Sequence, residues 1–202
     1  MRRVPSVSGV FSSRRIMMRR LDSEAQLAQL AARMRWIKAV DLPADRRRGV
    51  PRRVAWQISL GLTVNYFRDD EFQMSYVALM SNLSQELADH FVALLETELD
   101  VLGEDEILRD AGRREQMNES VTAVVRAGMA APESFDERYF AVLSEAASDD
   151  RPAVREAAVR GIFYTKWREF FGLLEDMSKS DRKRAVRKFA AEVLEAISGP
   201  GR

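Results

Sequence analysis

The chain has 202 residues, 46% of them hydrophobic, no cysteine and a formal net charge of +1. This composition suits a folded globular protein and excludes disulfides, a thiolate nucleophile and a Cys-ligated zinc centre. No uncharged run exceeds 14 residues, short of the roughly 20 that a spanning helix needs, so no membrane span is expected. The near-zero total hides a sorting of charge along the chain. Residues 1–60 carry 14 Lys/Arg against 4 Asp/Glu, residues 61–150 carry 6 against 20, and residues 151–202 carry 12 against 7. Blocks of +10, −14 and +5 point to electrostatic docking, either between parts of the chain or onto partners.

Residues 1–21 hold six arginines, four serines and no acidic residue, the composition of an organellar transit peptide. They are expected to form a basic disordered extension or targeting segment, followed by a single helical domain over 22–198. The excess of 27 Arg over 5 Lys suits a bacterial, cytoplasmic protein that starts at Met17 or Met18; the mitochondrial matrix is the alternative. No secretory apolar core of roughly 7 to 15 residues is present.

From Ser23 the chain reads as helix after helix. Ser23 and Gln26 have capping-box spacing, and Leu27, Leu30, Met34 and Ile37 follow at helical intervals, which predicts a helix to about Val40. Pro43 and Gly49-Val50-Pro51 mark a loop. Val54, Trp56, Ile58, Leu60, Leu62, Val64 and Tyr66 then alternate with small or polar residues, the period of a half-buried strand. A β-hairpin over 54–80 is therefore the alternative reading. Helix is preferred because Phe72, Tyr76, Leu79, Leu83, Leu87, Phe91 and Leu94 keep i, i+3/i+4 spacing without glycine or proline, predicting a long helix that ends at Gly103.

Further helices are predicted over 104–129, from a Ser134/Glu137 capping box, after Asp150 with Pro152 in the first turn, and from about Ser180. The last should bury Val186, Phe189, Ala190, Val193, Leu194 and Ile197. The expected fold class is all-α, with about six to seven helices in a bundle or short solenoid. Asp150, Pro152, Val154, Arg155 and Ala158 carry a resemblance to the start of the second helix of a HEAT repeat. The resemblance covers one unit over about 135–161, continuing to about Ile197. It implies stacked helix pairs, an α-solenoid of the kind that serves as a binding scaffold.

Chemical motifs are scarce. The glycines are scattered, so no phosphate-cradling loop is available, and His90 is the single histidine. Glu86, Asp89 and His90 could seed a carboxylate-rich metal site in a helical bundle, the basis of an alternative reading as a metal-dependent enzyme. No cofactor is expected. Two basic clusters stand out, Arg46, Arg47, Arg48, Arg52 and Arg53 around the loop, and Lys183, Arg184, Arg187 and Lys188 along the last helix. An acidic run includes Glu96, Glu98, Asp100, Glu104, Asp105 and Glu106. The basic clusters suit an acidic protein surface or, without base readout, nucleic acid. The resulting expectation is a non-enzymatic adaptor, assembly factor or small scaffold that binds protein partners, with nucleic-acid association and homo-oligomer formation as further options.

Overall fold

The computed structural model describes residues 11–45, 47–113 and 116–199. Residues 1–10 of the expected extension, and Arg46, lie outside the described residues. The chain divides into two compact units, Met1–Leu102 and Gly103–Arg202. The first is a mixed α/β unit and the second is helical, which overturns the expectation of an all-α protein.

Unit 1 runs β1 (Phe11–Ser12), β2 (Ile16–Met17), α1 (Glu24–Arg33), β3 (Ile37–Leu42), β4 (Arg52–Ser59), β5 (Leu62–Asp69), β6 (Met74–Ser81) and α2 (Gln85–Glu98). The sheet is antiparallel in the order β1-β6-β5-β4-β3, and β2 also pairs with β6. β3 thus forms one edge, while the far edge beyond β6 is shared by two strands of two residues each. Residues 11–18, read from sequence as part of a basic extension, join this sheet, and Ile16, Met17 and Met18 are buried.

The helix preferred over 54–66 is replaced by β4 and β5, and the long helix predicted over about 72–102 by β6 and the shorter α2. Val54 pairs with Tyr66, Trp56 with Val64 and, across the next ladder, Val64 with Leu79 and Tyr66 with Val77. These side chains share one sheet face and join Leu27, Leu30 and Ala31 of α1 and Ala88, Val92 and Leu95 of α2 in a single apolar cluster. Burial of such a face against two helices is the condition for a stable sheet of this size. The β4–β5 turn is Leu60-Gly61, with Gly61 at φ +81°, a region that side chains disfavour. A methyl there would also lie 2.0 Å from the Asn82 Oδ1.

α1 stops well short of the predicted Val40. Arg35 takes a left-handed φ of +58°, and the Trp36 N–H donates back to the Ala31 carbonyl at 2.8 Å, so the chain leaves the helix and enters β3. α2 opens on Ser84, whose hydroxyl accepts from the Leu87 N–H at 3.2 Å.

Unit 2 contains α3 (Glu104–Gly112), α4 (Met117–Ala130), α5 (Glu137–Ala147), α6 (Pro152–Thr165), a 3₁₀ turn (Arg168–Phe170), α7 (Phe171–Ser180) and α8 (Arg184–Ser198). The resemblance to a HEAT solenoid is overturned as a fold assignment, because these helices follow a six-stranded antiparallel sheet in the chain. Pro152 opens α6 where its missing N–H is harmless, and Val154 and Ala158 are buried. These are features of any well-started buried helix. The caps also shift from those predicted: Asp136 caps α5 by accepting from the Arg138 N–H at 2.9 Å, and Asp149 accepts from the Arg151 N–H ahead of α6 at 2.9 Å.

α4 and α6 make the closest helix crossing. A Cβ added to Gly128 would sit 2.2 Å from the Gly161 Cα, and one added to Gly161 would sit 2.8 Å from the Leu143 Cδ2. Gly128 faces backbone and has no room for a methyl, whereas at Gly161 the nearest atom is the end of the Leu143 side chain, with the Val124 carbonyl oxygen at 3.3 Å. In α8 the buried residues are Val186, Ala190 and Val193; Phe189 and Leu194, predicted for the core, are half-buried, and the Phe189 ring lies 5.2 Å beneath the Arg160 guanidinium.

Gly128→Ala is expected to destabilise unit 2 by about 1–3 kcal/mol or more through overpacking. Gly172→Ala, where nothing lies within 4 Å, should be neutral or slightly stabilising. Paired urea unfolding curves followed by circular dichroism check both.

Candidate interaction surfaces

The charge sorting seen in the sequence is largely closed within each unit. In unit 1, Arg14 and Arg33 of the basic first block bind Glu96 and Glu98 near the C-terminal end of α2, and Arg19 binds Asp100 at 3.0 Å. Arg68 bridges Asp22 at 2.7 Å and Asp70 at 2.9 Å. Most of these pairs are solvent-exposed and contribute roughly 0–1 kcal/mol each. Their effect is to satisfy charges that the sequence left open for partners.

The loop cluster separates in the same way. Arg52 donates twice to the Glu24 carboxylate, at 2.6 and 2.8 Å, and lies 3.1 Å from Asp41, tying β4 to the start of α1 and to β3. Hydrogen bonding from Arg52 holds the Glu24 carboxyl below its usual range against the opposing effect of burial. Arg53 points to the other sheet face, donates to Asn65 Oδ1 at 3.0 and 2.8 Å and stacks over Phe67 at 5.8 Å. Only Arg47 and Arg48 among the described members remain exposed on the loop, where Asp45 accepts from both backbone N–H groups.

In unit 2, Glu104, Asp105 and Glu106 occupy the first turn of α3, where acidic side chains complement the helix dipole. Glu104 lies 3.0 Å and Asp105 3.9 Å from Arg138 of α5. The basic ridge on α8 is not continuous. Lys188 pairs with Glu192 at 3.4 Å and Arg187 donates to the Asp181 carbonyl at 2.5 Å, while among the described residues Lys183 and Arg184 make no ion pair. His90, Glu86 and Asp89 are exposed on α2, and among the described residues no group of three His, Cys, Asp or Glu side chains is placed to hold a metal ion. Among the described residues no helix is long and apolar enough to cross a membrane.

The strongest polar site joins Arg155, which the sequence offers only within the HEAT-like row, to Asp181. Arg155 and Asp181 form a bidentate ion pair, Nε to Oδ2 at 2.7 Å and Nη2 to Oδ1 at 2.9 Å, with side chains only 7% and 5% exposed. The remaining Arg155 nitrogen donates to the Asp149 and Asp150 carbonyls at 2.9 and 3.0 Å, and Asp181 also accepts from the Lys183 N–H at 2.7 Å. One guanidinium thus joins the α5–α6 loop to the α7–α8 turn. The available signal was Arg155 heading an i, i+3, i+4, i+7 row with Ala158, Val159 and Ile162, a charge in an apolar stripe that requires a partner.

The edge strand β3 offers a different kind of surface. Ile37 is 70% and Leu42 51% exposed. The ladder with β4 skips Ala39: Ile37 opposes Gln57, Lys38 opposes Trp56, Val40 opposes Ala55, Asp41 opposes Val54 and Leu42 opposes Arg53. Ile37, Val40 and Leu42 therefore share one face and Lys38 and Asp41 the other. Lys38 binds Asp41 at 2.8 Å and sits over Trp56, and with Arg52 it holds the Asp41 carboxyl below its usual range. Among the described residues β3 pairs only with β4, so its outer N–H and C=O groups are open to another strand.

Comparisons with protein-family models, with curated proteins and with solved structures find no match to this chain.

The buried pair makes unit 2 acid-sensitive. Arg155 lowers the Asp181 carboxyl below its usual range, with burial opposing it. A depressed folded-state value means that the stabilisation is complete above the unfolded value of about 3.9 and is lost as pH falls through the folded one. Asp181→Ala should cost about 3–5 kcal/mol, because it leaves a buried guanidinium without its carboxylate. Asp181→Asn should flatten the fall in thermal midpoint between about pH 5 and pH 2, measured by circular dichroism melting across that range.

Proposed function

We propose that the protein is a non-enzymatic protein-interaction module, an adaptor or assembly factor, whose docking element is the β3 edge of unit 1. The observation that carries this reading is a six-residue strand with an open outer edge and two exposed apolar side chains, Ile37 and Leu42. Strand addition to such an edge draws affinity from main-chain hydrogen bonds and selectivity from alternate side chains. The charged blocks support the fold more than they advertise a docking surface, since their members are mostly engaged within their own unit. The cysteine-free chain fits the cytoplasm, and the Arg- and Ser-rich residues 1–21 keep the mitochondrial matrix as the alternative.

Ile37→Lys with Leu42→Lys tests the reading without touching the core. Both sites are exposed, so thermal stability should stay within about 0.5 kcal/mol of wild type. Affinity purification from the native cell should recover partners with the wild-type chain and lose them with the double variant. Equal recovery by both chains overturns the reading.

A further inference from the structure

We propose that the strand accepted by β3 is β3 of a second copy, giving an antiparallel, two-fold dimer through this edge. The inference rests on the reading of β3 as the docking element and names its occupant. A two-fold axis between antiparallel strands runs perpendicular to the sheet and keeps each side chain on its own face. In a regular strand such an axis could not bring Lys38 opposite Asp41, because residues three apart point to opposite faces.

The bulge removes that obstacle. With Ala39 set aside from the ladder, Ile37, Lys38, Val40, Asp41 and Leu42 read as five successive pleats that are alternately apolar and charged. An axis at Val40 then opposes Val40 to its own copy, Lys38 to Asp41 of the second copy, and Ile37 to Leu42 of the second copy. Both charged positions meet the opposite sign, and the apolar positions meet each other on the opposite face. Opposite charges and apolar pairs across strands stabilise pairing, and like charges there oppose it. The same bulge that would blunt an edge against foreign strands makes this one complementary to itself. The Lys38–Asp41 ion pair within each strand shows that the two side chains already lie on one face and can exchange partners without leaving it.

The absence of cysteine permits a clean test on the full chain. Directly opposed residues on antiparallel strands have Cβ atoms about 4.5–5.5 Å apart, close to the roughly 3.5–4.5 Å of a disulfide. Val40→Cys should therefore convert mostly to a disulfide-linked dimer under mild oxidation. Leu60→Cys, 87% exposed at the β4–β5 turn, should stay largely monomeric as a control for random collision. Sedimentation velocity of the wild-type chain should show a dimer, and Ile37→Lys with Leu42→Lys should be monomeric, since it places lysines opposite one another. A monomeric wild type with no preferential cross-linking of Val40→Cys overturns the dimer. A wild-type dimer in which Val40→Cys links no better than Leu60→Cys also overturns it, by placing self-association on another surface. In either case partner recovery that still depends on Ile37 and Leu42 leaves the wider reading of β3 intact, whereas loss of that dependence removes both.

Discussion

The register of β4 against β5 decides what unit 1 can bury. Even-numbered residues oppose even-numbered ones, from Val54 with Tyr66 to Trp56 with Val64, which places Val54, Trp56, Val64 and Tyr66 on the face that meets α1 and α2. A two-residue turn by itself would oppose odd to even, as Ser59 and Leu62 do beside the turn. The irregularity between Gln57 and Ser59 restores the parity. A slip of one residue would turn the whole apolar set outward, and with it the support for β3 and for the two-residue strands beyond β6. Arg52 holds the same arrangement from the edge, since its guanidinium reaches α1 and β3 from the first position of β4.

That parity also explains why the sheet was hard to read. Because the bulge keeps the alternation in phase through the turn, residues 54–66 show one unbroken period of two and no mark of a fold-back at Leu60-Gly61. The β6 sequence is nearly continuous in apolar residues and is mostly buried on both faces, so Tyr76 and Leu79 fit helical spacing as readily as strand pairing. The helical spacing that follows thus outweighs the alternation in the sequence, although β5 and β6 supply partners for each other. Where helices do occur the signals were local and strong, as at Pro152 and in the Val186, Ala190 and Val193 row.

The charge pattern was legible and its use only partly so. Sequence composition located the opposing blocks, and the structure places Arg14, Arg19 and Arg33 on carboxylates at or near the end of α2. Which arginine would be buried followed from packing that composition does not encode. Arg155 lies within an apolar row, and its carboxylate comes from a turn 26 residues away. Lys183, Arg184, Arg187 and Lys188 looked alike in the sequence, yet Asp181 and Glu192 engage two of them in different ways. The β3 edge carried little hydropathy signal, since its apolar residues continued the helical spacing of α1.

The two ends of the sheet are unequal, and that inequality governs how far it can be extended. β3 presents six residues at one edge, whereas the opposite edge is interrupted between β1 and β2, each of two residues. Fibrous stacking needs a template on both sides of every subunit, so that each addition exposes a new site for the next. Among the described residues, the side that would receive a further strand once β3 is paired is short and interrupted. Edge-to-edge growth through a paired β3 would then stop after one step, so an open, partly apolar edge would not carry the hazard of an endless assembly.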